Sequence, residues 1–319
     1  MEIKTVLCPT DFSALAEREL QLAVGICQRF GAKLVLQHVL HSCVPYWSAN
    51  SWARLETQSP FEKDEEHQAE LRLEQLLAKI PASVWSEATV THGLTEIAIA
   101  SLARDLSADL IVMGTHGPGS AAHISITEQV VIHSPCAVVT TRDDSPGSAP
   151  PTLWSDGPGS ALQALVPLDF TLDSVHTLEY AFGLMQVLPM TLNLLHVEGL
   201  FSWDDIRRAT HFKISEQRQR RLWEAEGHLQ ALVPGNLVDR VNIQVCLGSK
   251  AEKICDHAES LQADLVIMGT HPKGILKELL SGATCCEVLY KSRCPVWFVP
   301  TGKAEKLHAV KEGFEVAHS

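Results

Sequence analysis

The sequence predicts an α/β protein made of two copies of one open parallel-sheet unit, and three observations carry that prediction. First, the stretch ADLIVMGTHGPG from Ala108 returns at Ala263 as ADLVIMGTHPKG. Each copy is an apolar, mostly β-branched run that stops at Met-Gly-Thr-His, the pattern of a buried parallel strand opening into a glycine loop. Second, short apolar runs alternate along the whole chain with longer segments of helical spacing, the order that makes β-α-β units. Third, landmarks recur at a nearly constant offset. Asp11 and Asp169, His38 and His196, and Cys136 and Cys294 are each 158 apart, while Gly114 and Gly269 are 155 apart. A shared register with one local slip means duplication.

Taken in order, residues 3–8 (IKTVLC) read as a strand, ended by Pro9-Thr10-Asp11 before a helix that Thr10, Asp11 or Ser13 can cap. The helix runs to about Phe30 and Gly31 stops it; KLVLQHVL from Lys33 is the second strand. After a polar loop, Leu71, Leu73, Leu76 and Leu77 mark a helix from Phe61 to Lys79. A strand near 84–90, a helix from about Leu94 to Leu106, the strand ADLIVMG, a helix near 124–132 and the strand CAVVT complete the first half.

Residues 143–160 hold four prolines, three glycines and four serines, a composition that suits neither a helix nor a central strand. They read as a linker between a first domain, 1–142, and a second, 161–302. The second domain repeats the order: LQALVPLDF, a helix to about Val187, TLNLLHV, a long helix near 205–232, VNIQVCLG, a helix after Ser249, ADLVIMGTH, a helix near 275–291 and CPVWFVP. Residues 303–319 read as a polar tail.

Composition narrows the function. A formal net charge of −12 argues against nucleic acid, which asks for a concentrated basic surface. No apolar run approaches the roughly 18 residues that span a bilayer, and Asp11 interrupts the N-terminal apolar stretch, so a cytoplasmic protein with no membrane partner is expected. Nine cysteines, scattered through strands and helices, read as reduced and largely buried. Cys285 and Cys286 are adjacent, but successive helical residues diverge by about 100°, so they do not build a metal site.

With these residues in view, the chain resembles the universal stress protein family in tandem form. The resemblance rests on Pro9-Thr10-Asp11-Phe12 and Pro167-Leu168-Asp169-Phe170 at the end of each first strand. A second strand ending His-Val, the ADL[IV][IV]MGTH strand and a closing Cys-Pro-Val-like strand complete the match. It implies two open, Rossmann-like sheets of the adenine-nucleotide alpha hydrolase type, strand order 3-2-1-4-5, related by a pseudo-two-fold. In that order strands one and four flank a topological switch point, so Asp11 faces Gly114, and Asp169 faces Gly269. The carboxylate can accept from an adenine amine or ribose hydroxyls; the glycine loop offers N–H groups to phosphates. The resemblance also implies that the closing strands, AVVTT from Ala137 and PVWFVP from Pro295, pair with each other, and it leaves a homodimer open.

The implied nucleotide site consists of Pro167, Asp169, Val197, Met268, Gly269, His271, Gly282, Ala283 and Thr284 in the second half. Its first-half counterpart is Pro9, Thr10, Asp11, Val39, Met113, Gly114, Gly117 and Ser125. Nucleotide-binding members carry a Gly-x2-Gly-x9-Gly-[Ser/Thr] loop, and neither copy matches it. The second half keeps the spacing from Gly269 to Gly282 but has Pro272, which lacks an N–H, and Ala283, which lacks a hydroxyl; Thr284 follows. The first half keeps Gly114 and Gly117 but is three residues shorter, placing Ile124 and Ser125 where Gly282 and Ala283 stand. The second site is therefore expected to be the better one.

Simpler roles exist for most of these residues. Asp11 and Asp169 can cap the first helix of each half. His116 and His271 can approach phosphate or merely be solvated. His38 and His41 lie on opposite strand faces, so with Cys43 they make no metal cluster. Gly248-Ser249-Lys250 lacks the upstream glycine of a phosphate loop and reads as a helix cap. Asp143-Asp144 and Asp204-Asp205 read as solvated charge. No Ser-His-Asp or Cys-His set can be assembled, so catalysis is not expected.

The resulting expectation is a stress-response sensor or regulator that binds ATP, with Mg²⁺, without rapid turnover. The alternatives are an interaction protein of the same fold that has lost nucleotide, and, less favoured, a slow ATPase or self-phosphorylating enzyme.

Overall fold

The computed structural model describes residues 1–41, 60–115, 125–142, 161–199, 211–270 and 281–301, with side chains described from Lys63, Glu216 and Thr284 onward in three of these segments. The first half comprises β1 (Thr5–Pro9), α1 (Ala14–Phe30), β2 (Lys33–Leu40), α2 (Pro60–Leu77), β3 (Ser86–His92), α3 (Thr95–Asp105), β4 (Leu110–Thr115), α4 (Ile126–His133) and β5 (Ala137–Arg142). The second comprises β6 (Leu162–Leu168), α5 (Leu172–Met185), β7 (Met190–Glu198), α6 (His211–Ala231), β8 (Val241–Leu247), α7 (Lys250–Ser260), β9 (Leu265–Thr270), α8 (Ser281–Lys291) and β10 (Val296–Pro300). A 3-10 turn at Gly235–Arg240, unanticipated from the sequence, leads into β8.

The strands form a single ten-stranded sheet in the order β3-β2-β1-β4-β5-β10-β9-β6-β7-β8. Each half is thus ordered 3-2-1-4-5, but the units are not separate sheets. Antiparallel pairing of Val296 with Thr140, Trp297 with Val139 and Phe298 with Val138 joins them, and every other pairing is parallel.

Strand residues alternate between two buried faces, which is why the strands read as continuous apolar runs. Val6, Cys8, Val112, Val139, Ile267, Trp297 and Val299 pack on one face with α1 and α5 residues such as Ile26 and Leu184. Leu7, Ile111, Val138, Val266 and Phe298 pack on the other with α3, α4, α7 and α8 residues such as Ile99, Val130, Ile254 and Val288. Trp297 is fully buried and its Nε1–H donates to the Tyr180 hydroxyl at 3.2 Å.

The local signals acted largely as the sequence implies. Gly31, at φ 68°, closes α1 in the left-handed conformation. The α2 periodicity needs correction: Ala69, Leu73 and Leu76 are buried, whereas Leu71 is 39% exposed. Leu71 and Leu73 are two residues apart, about 200° around a helix, and cannot share a face. Among the described residues no helix is long and apolar enough to cross a membrane, and no three His, Cys, Asp or Glu side chains gather to hold a metal. Cys43, His116, His271, both loop segments, the linker, the tail and the paired aspartates at 143–144 and 204–205 lie outside the described residues.

Candidate nucleotide site

Two strand ends build the second-half site. Leu168 lies opposite His196 of β7, and the His196 Nδ1–H donates to the Leu168 carbonyl at 2.8 Å. A carbonyl only accepts, which sets the tautomer. The chain then turns through Phe170 at φ 62°, a strained position for a residue with a Cβ, and the Phe170 ring lies 4.4 Å from the His196 ring. Asp169, immediately before this turn, is held by its own loop. Its Oδ1 accepts the Thr171 N–H at 3.2 Å and the Thr171 hydroxyl at 2.6 Å.

The first half repeats the device. His38 Nδ1 donates to the Thr10 carbonyl at 2.8 Å, Phe12 stands at φ 64° with its ring 4.4 Å from His38, and Asp11 Oδ1 accepts the Ser13 N–H at 2.9 Å. The helix caps are Ser13 and Thr171, whose hydroxyls accept from the N–H groups of Ala16 and Ser174. Of the cap candidates in the first half Ser13 is the one used, and Asp11 and Asp169 stand two residues before the caps. The histidine lock and left-handed phenylalanine had no sequence signal beyond the recurrence of Asp-Phe and His-Val.

Partial burial pushes the Asp169 carboxyl upward, but the Thr171 hydroxyl and N–H, the Ser174 hydroxyl and the Lys250 charge outweigh it and hold the group below the ordinary carboxylate value. Asp169 is thus an anion with acceptor capacity to spare.

Across the switch point, β6 pairs with β9 through Ala164–Leu265 and Leu165–Val266, a register that carries Leu168 toward Gly269. Gly269 and Gly114 are both closely approached, so that a Cβ there would force a neighbour to shift. A Cβ on Gly269 would lie 2.5 Å from Thr177 Oγ1 of α5, and one on Gly114 would lie 2.9 Å from Leu15 and 3.0 Å from the Glu19 carboxyl carbon of α1. The following helix is tied to the same glycine. Cys285 Sγ donates to the Gly269 carbonyl at 3.3 Å, and Thr127 Oγ1 to the Gly114 carbonyl at 2.7 Å.

Between these ends lies a cavity of about 360 Å³ lined by Pro167, Asp169, Val197, Met268, Gly269 and Thr284. All six belong to the set the sequence singled out; Thr171, Asp173, Ser174, Ile254 and Cys285 also line it and were missed, and so does Lys250, whose Gly248-Ser249-Lys250 run the sequence reads as a helix cap. The volume falls in the range of small-molecule sites, and an apolar wall with few polar groups is their usual make-up. Gly282 and Ala283 lie by backbone in the first turn of α8.

The first-half set is buried in nearly the same way. Thr10 and Met113 are buried, Pro9 and Gly114 half-buried and Asp11 exposed, as are Leu168, Met268, Pro167, Gly269 and Asp169 in the second half, while Val39 is half-buried where Val197 is buried; Gly117 lies outside the described residues. Ser125 precedes α4 without capping it, and its hydroxyl acts on the Tyr290 hydroxyl of the other half. The Tyr290 hydroxyl also donates to Glu128 at 3.1 Å.

None of the eight described cysteines is in a disulfide. Burial pushes the thiols of Cys136, Cys255 and Cys285 up to about 11, so they are not nucleophilic thiolates.

With this geometry in place, comparison with known proteins is decisive. The model of the universal stress protein family matches residues 2–142 and again residues 163–300. The chain belongs to the universal stress protein family. It is 30% identical over 142 residues to the universal stress protein in the QAH/OAS sulfhydrylase 3'region of Thermus aquaticus, covering 44% of this chain and 98% of that protein. In fold it is similar to a universal stress protein from Archaeoglobus fulgidus, with TM-score 0.65, 20% identity and coverage of 95% of this chain and 98% of the other. A functionally unknown protein, PA1789, of Pseudomonas aeruginosa matches with TM-score 0.53 and 17% identity, over 94% of this chain and 93% of its own. The two matches of the family model account for the repeated strand ends.

Proposed function

We propose that this tandem universal stress protein binds an adenine nucleotide in its second half, ATP with Mg²⁺, and acts as a stress-response sensor or regulator without rapid turnover. The observation that carries the reading is the cavity uniting Asp169, Val197, Met268, Gly269 and Thr284. Val197 and Met268 offer an apolar wall for a base, Asp169 accepts from an amine or ribose hydroxyls, and the α8 N-terminus favours phosphate. Mg²⁺ would enter with the phosphates, its preferred partners. The domains are taken as 1–142 and 161–302, the linker as 143–160 and the compartment as the cytoplasm. The β5–β10 pairing is read as an intramolecular version of a family dimer contact. Titration calorimetry of ATP into nucleotide-free protein tests the reading; absence of heat at millimolar ATP with the fold intact would refute it.

A second reading, an interaction protein of the same fold in which both clefts have lost nucleotide, draws its support from the first half. There Leu94, Ile97 and Ile126 are 50%, 60% and 46% exposed, where register places Ser249, Glu252 and Thr284 in the second half. Denaturing the purified protein and assaying the supernatant for nucleotide separates the readings. Hydrolysis is not proposed, and ADP accumulating with time would contradict that.

A further inference from the structure

The ten-stranded sheet ends in two edge strands, β3 and β8, which occupy the same place in the two halves. Among the described strands each pairs along one side alone, β3 with β2 and β8 with β7. An edge strand presents N–H and C=O groups that another strand can take up, and charged side chains are the common guard against this. β3 is guarded. Glu87 forms an ion pair with Lys33 of β2 at 2.6 Å, and the His92 ring lies 4.0 Å from the Glu66 carboxylate. β8 differs: its seven residues, VNIQVCL, hold no charged group, no proline and no glycine.

The Gly248 N–H donates to the Glu198 carbonyl at 3.1 Å. Alternate residues of a parallel strand bond to the same neighbour, so Asn242, Gln244 and Cys246 turn their backbone toward β7, while Val241, Ile243, Val245 and Leu247 turn theirs outward. A two-fold axis through Gln244 lets these outward groups bond to those of a second copy in antiparallel register. It sets Val241 opposite Leu247, Ile243 opposite Val245, Asn242 opposite Cys246 and Gln244 opposite itself, the two members of each pair coming from different copies. On the face covered by α6, the half-buried Val241, Ile243 and Val245 then join one apolar row across the seam. On the other face the exposed Asn242 and Gln244 meet uncharged groups, so no like charges come together. Val238, in the turn leading into β8, is 58% exposed at the end of the same seam.

We infer that β8 is an interface for a second copy of this chain, paired antiparallel about Gln244 so that two ten-stranded sheets become one. Two-fold pairing uses both β8 edges and leaves the guarded β3 edges at the ends, so assembly stops at two chains. No nucleotide takes part, and the pairing stands or falls independently of the cavity.

The test is sedimentation velocity of the full chain, for the wild type, Gln244→Lys and Thr89→Lys, with melting curves to confirm folding. Gln244 is exposed, and its substitution by lysine sets two ammonium groups against each other at the axis, so Gln244→Lys should convert a two-chain species to single chains. Thr89→Lys, at the matching position of β3, should leave that species intact. Oxidised Gln244→Cys should yield a disulfide through the two introduced thiols, identified by peptide mapping. Residues facing each other at a non-hydrogen-bonded antiparallel position have Cα atoms about 4.5 Å apart, within disulfide reach. A wild type that stays single-chain at every concentration, a two-chain species that survives Gln244→Lys, or association beyond two chains would overturn the inference.

Discussion

Thr127 Oγ1 and Cys285 Sγ play the same part in the two halves: each donates to the carbonyl of the glycine ending the fourth strand, Gly114 at 2.7 Å and Gly269 at 3.3 Å. The contact fixes the N-terminal part of the following helix over the strand end. The duplicated scaffold is retained here even though the residues beside it have diverged.

Removing the Asp169 carboxylate should weaken binding. Asp169→Ala is expected to lower ATP affinity about 10-fold or more, read by calorimetry. Because the folded-state carboxyl lies below its ordinary value, this contribution should persist through mildly acidic pH and fade only as pH falls through the depressed pKa. Binding that declines already between pH 7 and 5 would assign it to another group.

Gly269→Ala should destabilise the protein by about 1–3 kcal/mol through overpacking against Thr177 Oγ1. In a Thr177→Ala background that cost should shrink, since the clashing atom is gone. Equilibrium denaturation measures the coupling, and strict additivity would contradict the contact.

Glu19 is 1% exposed; its Oε1 accepts from the Thr141 hydroxyl, and its Oε2 has no hydrogen-bond partner among the described residues. Burial pushes this carboxyl up from 4.5 to about 7. The folded state therefore holds a proton that the unfolded chain releases. Glu19's favourable contribution is complete below about pH 4.5 and is lost as pH rises through 7. Glu19→Gln should match the wild type near pH 4.5 and exceed it by up to roughly 3 kcal/mol at pH 8. Denaturation at several pH values checks this; a constant difference would refute it.

The join between halves is testable through Glu128, which accepts from Tyr290 at 3.1 Å and from Cys286 at 3.2 Å. Tyr290→Phe should cost about 1 kcal/mol in the wild type and little in a Glu128→Ala background. Equal costs in both backgrounds would mean that the halves do not meet there.

Fold and strand order were legible because doubly buried strands repeat as apolar runs and landmarks recur at fixed offsets. Helix spacing was less secure: Leu71 joined the α2 pattern by proximity in sequence but faces solvent. Pro167, Asp169, Val197, Met268, Gly269 and Thr284 were legible because the family resemblance singled out strand ends at a switch point, and the sheet gathers them. Lys250 was not, because it follows a third strand whose distance from Gly269 depends on tertiary packing. Nor was the buried Glu19, whose helical position reads as surface until β4 and β5 cover it.

The central claim is nucleotide binding in the second half, and calorimetric titration of ATP into nucleotide-free full-length protein tests it most directly. The account predicts a single saturable event that Asp169→Ala weakens and Asp11→Ala leaves unchanged. No heat at millimolar ATP from a folded protein, or binding abolished by Asp11→Ala alone, would contradict it.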